Sequence, residues 1–299
     1  AYAFGTGAIL VITVATASCV LTEHWLCRWT GKPSTVGDWS IAITGLLYGL
    51  TLPPDLPLWM VFVGGVFGVA IGKFMFGGLG MNAFNPALVG RAFLQAAFPQ
   101  AMTHWTLPFA EGRFEHIPSS VLAMPFWEPT YDAVTTATPL ALMKFESEFA
   151  GGRELMAGLT SGSVGETCGA LILLGGIYLV ARNMMNWHIP ASIFVTVAAI
   201  TWAFQLYDPA TYPGPMFMLF SGGLMLGAVF MATDMVASPM TNAGCWLYGI
   251  LIGVLVVAIR FWGGMPEGVM YAILLANAVS PHIDNLVRPR VFGTGRGAK

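Results

Sequence analysis

The sequence predicts an all-α integral membrane protein of about ten transmembrane or half-spanning helices, nine of them visible, arranged as an inverted repeat of five plus five. Three observations carry this expectation. Hydrophobic residues make up 56% of the 299 positions and charged residues only 9%, where soluble domains carry about 25% charged residues. Mean hydropathy is +0.70, and a soluble core of this size could not hide so much apolar surface from water. The apolar stretches approach or reach the roughly 20 residues that a spanning helix needs. Several are interrupted by Gly and Pro, and the interruptions recur in both halves of the chain.

The first apolar stretch is 1–22. It opens Ala1-Tyr2-Ala3-Phe4, without the charged start of a secretory signal, and an earlier helix is expected before it. A polar link with Arg28 and Lys32 follows. Stretch 38–51 is short for a span and ends in Leu52-Pro53-Pro54. Stretch 56–73 is full length. Gly77-Gly78-Leu79-Gly80 then breaks the chain before Asn85-Pro86, which opens a second short stretch, 84–99. The only long polar interval runs from 100 to 166. Apolar stretches resume at 167–182, 189–207, 215–232, 243–261 and 266–282, and a basic tail closes the chain. The resulting division is a first membrane repeat (1–99), a loop (100–166), a second repeat (167–282) and a tail (283–299). The halves rhyme. Stretch 38–51 with its Leu-Pro-Pro resembles 215–232 followed by Ser238-Pro239. The glycine break and Asn85-Pro86 helix resemble Gly263-Gly264-Met265-Pro266 and its helix. Inverted repeats with broken helices place a pathway near the bilayer midplane.

Charge sets the expected orientation. The interval 100–166 holds eight acidic and three basic residues. Arg28, Lys32, Lys73, Arg182, Arg288, Arg290, Arg296 and Lys299 all thread to the opposite side. Cationic links stay in the cytoplasm, so the tail is expected inside a bacterial plasma (inner) membrane and the loop outside it. Arg260 is the exception. Trp25, Trp29, Trp105, Trp187 and Tyr212 lie near stretch ends and read as interfacial anchors.

Several function classes are disfavoured. A net charge of −2 argues against nucleic acid as a partner. Cys19, Cys27, Cys168 and Cys245 show no metal-ligand spacing, and the five histidines form no pair suited to heme. The glycines at 77–80 follow no strand and are not a dinucleotide loop.

One stretch of the polar interval stands out: Asp132-Ala133-Val134-Thr135-Thr136-Ala137-Thr138, followed by Pro139 and an apolar run. By residue type alone it is a helix start, with Thr138 at the N-cap and Pro139 at the first helical position.

The chain as a whole resembles the D-type membrane subunit of the bacterial Rnf electron-transport complex and its homologue, the B-type membrane subunit of the sodium-pumping NADH:quinone oxidoreductase. The matching stretches, in order, are Thr51-Leu52-Pro53-Pro54, Gly77-Gly78-Leu79-Gly80-Met81-Asn82-Ala83-Phe84-Asn85-Pro86-Ala87, the loop motif, Met231-Ala232-Thr233-Asp234 and Arg288-Pro289-Arg290-Val291-Phe292-Gly293. The last of these favours the Rnf member. The resemblance implies that a flavin transferase attaches FMN to Thr138 through a phosphoester, with Asp132, Thr135 and Ala137 in register. Thr136 stands where the family usually has Gly. It also implies a second, noncovalent flavin (riboflavin) in the membrane part, for which Asn82, Asn85 and Arg91 are the candidate residues. Electron flow is coupled in this family to Na⁺ or H⁺ movement. Asp38, Asp234 and Asp284, beside apolar stretches, are candidate ion-pathway groups. The implied partners are other Rnf subunits, membrane and peripheral, which carry flavins and iron–sulfur clusters. No complete active site, metal site or NADH site is expected in this chain alone. The expected function is therefore a flavin-carrying membrane subunit of a ferredoxin:NAD⁺ oxidoreductase. The alternatives are the membrane subunit of the quinone-reducing enzyme and a passive channel or transporter built on an inverted repeat.

Overall fold

The computed structural model describes residues 2–110, 112–115, 117–125, 137–146, 151–158, 160–166, 168–209 and 211–288. The regular structure among the described residues is helical throughout. Asp132, Thr135, Thr136 and the basic residues of the tail beyond Arg288 lie outside them.

The first half contains α1 (Gly5–Trp29), α2 (Ser40–Leu50), α3 (Leu58–Val69), α4 (Pro86–Ala97) and the single turn α5 (Pro99–Met102). The π-helical turn Ala70–Phe74 extends α3. The interval that follows carries α6 (Pro139–Glu146) and α7 (Gly152–Ala157). The second half contains α8 (Gly169–Ala181), α9 (His188–Tyr207), α10 (Pro215–Phe220), α11 (Leu224–Leu226), α12 (Asn242–Trp262) and α13 (Val269–Leu286). A π-helical turn, Gly227–Met231, continues α11. Helices α1, α9 and α12 are long and apolar enough to cross a membrane, and α2, Leu58–Phe74 and α8 are shorter apolar helices.

Each half has its own core. Val11, Ala15, Ile41, Tyr48, Val61 and Leu94 interlock between α1, α2, α3 and α4. Ile193, Val197, Met225, Ile252, Val256 and Ile273 do the same between α9 and α13. Small residues let the helices approach closely, as membrane interfaces require. A Cβ on Gly68 of α3 would stand 2.7 Å from the Pro86 carbonyl oxygen, and one on Gly90 of α4 would stand 2.7 Å from the Gly64 oxygen. The halves meet where Asn85 opens α4. Its Oδ1 caps the helix by accepting from the amides of Ala87 (3.0 Å) and Leu88 (3.4 Å), while Nδ2 donates across to the Met231 carbonyl at 3.2 Å.

Hydrogen bonds sort the connections onto two ends. At one end Lys32 Nζ reaches the Gly77 carbonyl (3.5 Å), Asn82 Nδ2 meets Asp234 Oδ2 (3.1 Å), and the Met240 amide donates to Asp284 Oδ1 (3.0 Å). At the other end the amides of Val164 and Gly165 donate to the Leu52 and Leu50 carbonyls (3.2 and 2.8 Å), and the Thr6 amide donates to the Arg113 carbonyl (3.0 Å). The described parts of the interval 100–166 therefore pack at the end opposite the 30–39 and 74–85 links.

Four sequence expectations change. Stretch 215–232 is not one helix: Ser221-Gly222-Gly223 splits it, with Gly222 at φ +63°, a conformation that favours glycine. Helix α1 runs on to Trp29, so Arg28 sits in its last turn rather than in a link. Lys73 is not an exposed basic turn. It is 3% exposed and ion-paired to Glu23 at 2.9 Å, because a cation at that depth needs an anion beside it. Trp105 is buried, against the anchoring role its sequence position suggests.

Candidate functional site

Helix α6 starts where the Thr-Pro signal says it should. Thr138 Oγ1 accepts the Ala141 amide at 3.3 Å, and its carbonyl accepts from Ala141 and Leu142 at 2.8 and 3.0 Å. The helix is held down in two ways. Leu140 and Met143 bury themselves in the core of the second half. Lys144 Nζ donates to a carbonyl in the last turn of α12, at Ile259 (3.3 Å), and to those of Gly263 and Met265 (2.9 Å) in the turn that follows. A cation at a helix C-terminus is favourably placed against its last carbonyls. Partial burial holds the Lys144 amine below its ordinary range. Ala137, just before the helix, accepts through its carbonyl from Ser161 Oγ at 3.3 Å.

This docking leaves Thr138 only 5% exposed, on the wall of a cavity of about 600 Å³. Ligand pockets run from about 300 to about 1,000 Å³. Leu88, Met102, Trp105, Leu226 and Met270 supply apolar wall. Its polar lining includes Thr138, the charged Arg91, Glu166 and Glu267, and the neutral Thr51, Gln95, Thr103 and Tyr271.

The charges are arranged around one guanidinium. Arg91 projects from α4, donating NH1 to Glu166 Oε1 at 3.0 Å and NH2 to Glu267 Oε2 at 2.8 Å. Glu166 comes from the segment that is bonded to the end of α2, and Glu267 from the turn before α13. Burial, and then the neighbouring Glu267, push the Glu166 carboxyl up to about 7 against the pull of Arg91. A second arginine stands behind them. Arg260 is 0% exposed, and its NH1 and NH2 donate to the carbonyls of Met218 (2.5 Å) and Ser221 (2.8 Å). These carbonyls lie at the interruption between α10 and α11, so the arginine that charge threading left unexplained satisfies a broken helix.

The sequence candidates divide. Ala137, Thr138 and Arg91 share the cavity. Asn82 lies toward the opposite end of the bundle, and Asn85, outside the lining itself, is bonded to the cavity-lining Leu88 and Met231. The Asn82 amide is bonded to Asp234 and to the Phe84 carbonyl (3.3 Å), and both ends of the Asn85 amide are bonded as described above. Asp234 therefore joins Asn82, Asp284 caps the Met240 amide, and Asp38 caps the start of α2 through the Ser40 amide at 2.9 Å. The Ser40 hydrogen bonds hold the Asp38 carboxyl below its ordinary range against a desolvation push upward. The three aspartates do not form one site. Glu166, Glu267 and Lys144 belong to the site without being singled out by sequence, and Arg260, which stands behind it, is marked there only as an exception to the charge pattern. The one available signal is position: Glu166 directly precedes the stretch 167–182, and Glu267 stands at the start of 266–282, just after the Gly263-Gly264-Met265-Pro266 break.

The model of the NQR2, RnfD, RnfE family matches residues 1–293. The chain is 42% identical to the D subunit of the proton-translocating ferredoxin:NAD(+) oxidoreductase complex of Clostridium ljungdahlii, over 98% of this chain and 86% of that protein. It is 38% identical to the D subunit of the Na(+)-translocating ferredoxin:NAD(+) oxidoreductase complex of Acetobacterium woodii, over 98% and 85%. It is also 38% identical to the D subunit of the ion-translocating oxidoreductase complex of Stutzerimonas stutzeri, over 100% and 88%.

Proposed function

The chain belongs to the NQR2, RnfD, RnfE family, and from that premise we propose that it is the D-type membrane subunit of an ion-translocating ferredoxin:NAD⁺ oxidoreductase, with FMN esterified to Thr138 in the cavity beside Arg91. The assignment to the ferredoxin-linked complex, rather than to the quinone-reducing enzyme or a passive channel, rests on the D-type relatives. The flavin part rests on one observation: the hydroxyl-bearing Thr138 is buried in the wall of a cavity large enough for a ring system.

The residues present fit such a group. Thr138 Oγ1 is the attachment atom, and the N-cap geometry together with the Lys144 clamp fixes its position. The wall is largely apolar, and Arg91 supplies a cation where negative charge would develop. Bound there, a phosphoester-linked flavin supplies a carrier of one or two electrons, since the ester leaves its ring intact. Its neighbours Asp132, Thr135 and Thr136 belong to the same attachment motif, read by a flavin transferase during maturation. The noncovalent riboflavin expected at Asn82, Asn85 and Arg91 fits less well, since Arg91 stands in the Thr138 cavity and the two asparagines do not line it. Both amides are already bonded to protein groups.

In this reading the Thr138 end faces outward from a bacterial inner membrane and the end with Asp234 and Asp284 faces the cytoplasm. The partners are the flavin- and iron–sulfur-bearing subunits of the complex. The relatives are named for both H⁺ and Na⁺, so the ion is left as either. An inverted five-plus-five relation is supported by matching packing, α1 on α3 and α3 on α4 in one half, α9 on α12 and α12 on α13 in the other. The test is ultraviolet in-gel fluorescence of the denatured chain after co-expression with its transferase. A fluorescent band lost in Thr138→Ala supports the reading, and a dark wild-type band overturns it.

A further inference from the structure

We propose that the Arg91–Glu166–Glu267 cluster is a one-proton store, loaded at Glu166 Oε2 when negative charge enters the cavity beside Thr138. The inference rests on the reading that an electron carrier occupies that cavity.

The charge count comes first. One guanidinium stands between two carboxylates. Arg260 sits behind them and gives its terminal nitrogens to backbone carbonyls. The four groups sum to zero when both acids are ionised, so one added electron in the cavity leaves an uncompensated buried charge. Buried charge without a partner is costly, and a titratable neighbour takes a proton instead.

Geometry selects the acid. The Glu166 side chain is 3% exposed and that of Glu267 21%. Glu166 Oε1 is used by Arg91, while Oε2 is buried and accepts no hydrogen bond among the described residues. That oxygen can gain a proton without breaking the Arg91 contact. The groups facing Glu166 are Arg91 from α4, Glu267 from the turn before α13, Arg260 from α12 and the Ser163 hydroxyl from its own turn. Gly223, at the helix interruption, lies against it as well: a Cβ there would stand 2.5 Å from Oε1. The upward push on the Glu166 carboxyl described above puts its titration in the neutral range, where a small change in local charge moves it.

The step balances. One electron enters the cavity from a low-potential one-electron donor. One proton leaves bulk water, and an O–H bond forms at Oε2. The net charge of the cluster and its contents is unchanged.

Infrared difference spectroscopy on the purified complex tests this by reading the protonated carboxyl C=O band, identified by its shift in D₂O. In the wild type the band fades as pH is raised through neutrality, and dithionite reduction above that midpoint restores it. Glu166→Gln, which keeps an oxygen for Arg91, abolishes the reduction response and the component that fades near 7, leaving the component of Asp55, which burial pushes up to about 6. Glu267→Gln keeps the band but moves its loss to lower pH, because a neighbouring negative charge has gone. Persistence of the reduction-restored band in Glu166→Gln, its absence from the wild type, or its disappearance in Glu267→Gln overturns the proposal. If the gel band carries no flavin, the electron-carrier reading fails, while the pH titration of the same infrared band still decides whether Glu166 holds the proton.

Discussion

Removing Arg91 is the most informative perturbation of the cavity. Arg91→Met keeps the length and apolar stem of the side chain but deletes the cation between Glu166 and Glu267. Breaking a buried ion pair from one side costs about 3–5 kcal/mol, because an uncompensated charge is left behind. Here the cost is bounded by protonation. Glu166 already titrates at about 7, and losing the Arg91 pull raises it further, so near neutral pH the abandoned acid neutralises itself. The linkage sign follows. An acid whose folded value lies above its unfolded value favours folding least at high pH, since the folded state binds the extra proton. The loss in Arg91→Met is therefore expected near the lower bound, about 3 kcal/mol, at about pH 8, and smaller at about pH 6. Adding Glu166→Gln to Arg91→Met removes the stranded charge and is expected to restore more than half of that loss. Buried thiols provide the assay. Cys19, Cys27 and Cys245 are free and buried, so a thiol-reactive fluorophore reports thermal unfolding in detergent. The reasoning is refuted if Arg91→Met melts with the wild type at both pH values, or if the double variant melts no later than the single one.

Four further outcomes follow from the geometry. Gly223→Ala places a Cβ 2.5 Å from Glu166 Oε1 at an ordinary φ of −72°, so it is expected to displace Glu166 and lower the melting temperature without altering α1 to α3, read by thiol labelling of Cys245 before Cys19. Lys144→Met removes the carbonyl contacts that hold α6 on α12; with the amine partly exposed, a loss of about 1 kcal/mol is expected, visible as faster limited proteolysis within 100–166. Gly90→Ala drives a Cβ to 2.7 Å from the Gly64 carbonyl; overpacking of this kind costs about 1–3 kcal/mol, and an earlier melt is the check. Asp55, in the turn between α2 and α3, is pushed up to about 6 by burial, so stability should fall as pH rises from the ordinary carboxylate range through about 6 and level off above it, and Asp55→Asn should remove that slope.

The helices were legible in the sequence because lipid imposes a local rule. Each apolar stretch must satisfy its own backbone, so stretches 38–51, 189–207 and 243–261 foretell α2, α9 and α12 to within two residues. The N-cap at Thr138 and the Asn85-Pro86 opening of α4 were legible for the same reason, since each is written within three residues of its helix. What was not legible is long-range. Arg91 finds Glu166 75 positions away and Glu267 176 positions away, and no spacing rule links them. Charge threading misread Lys73 because it counts a cation without asking whether an anion such as Glu23 is waiting inside. It set Arg260 aside because the broken backbone that needs it lies 39 and 42 positions earlier.

The interruption between α10 and α11 explains why the cavity lies where it does. A continuous helix over 215–232 would close its own hydrogen bonds and offer the cavity only side chains. With Ser221-Gly222-Gly223 unwound, the Met218 and Ser221 carbonyls turn to Arg260. The missing side chain at Gly223 gives Glu166 room to reach Arg91. Arg91 in turn joins α4 of the first half to the turn before α13 of the second through Glu267. The wall that holds Thr138 therefore exists only when elements of both halves are docked, and each charge in it is compensated by a partner from another element. Such a cluster stabilises little beyond what apolar packing would supply. What it contributes is a buried polar surface whose protonation can follow the charge of the cavity's contents, which an apolar wall could not provide.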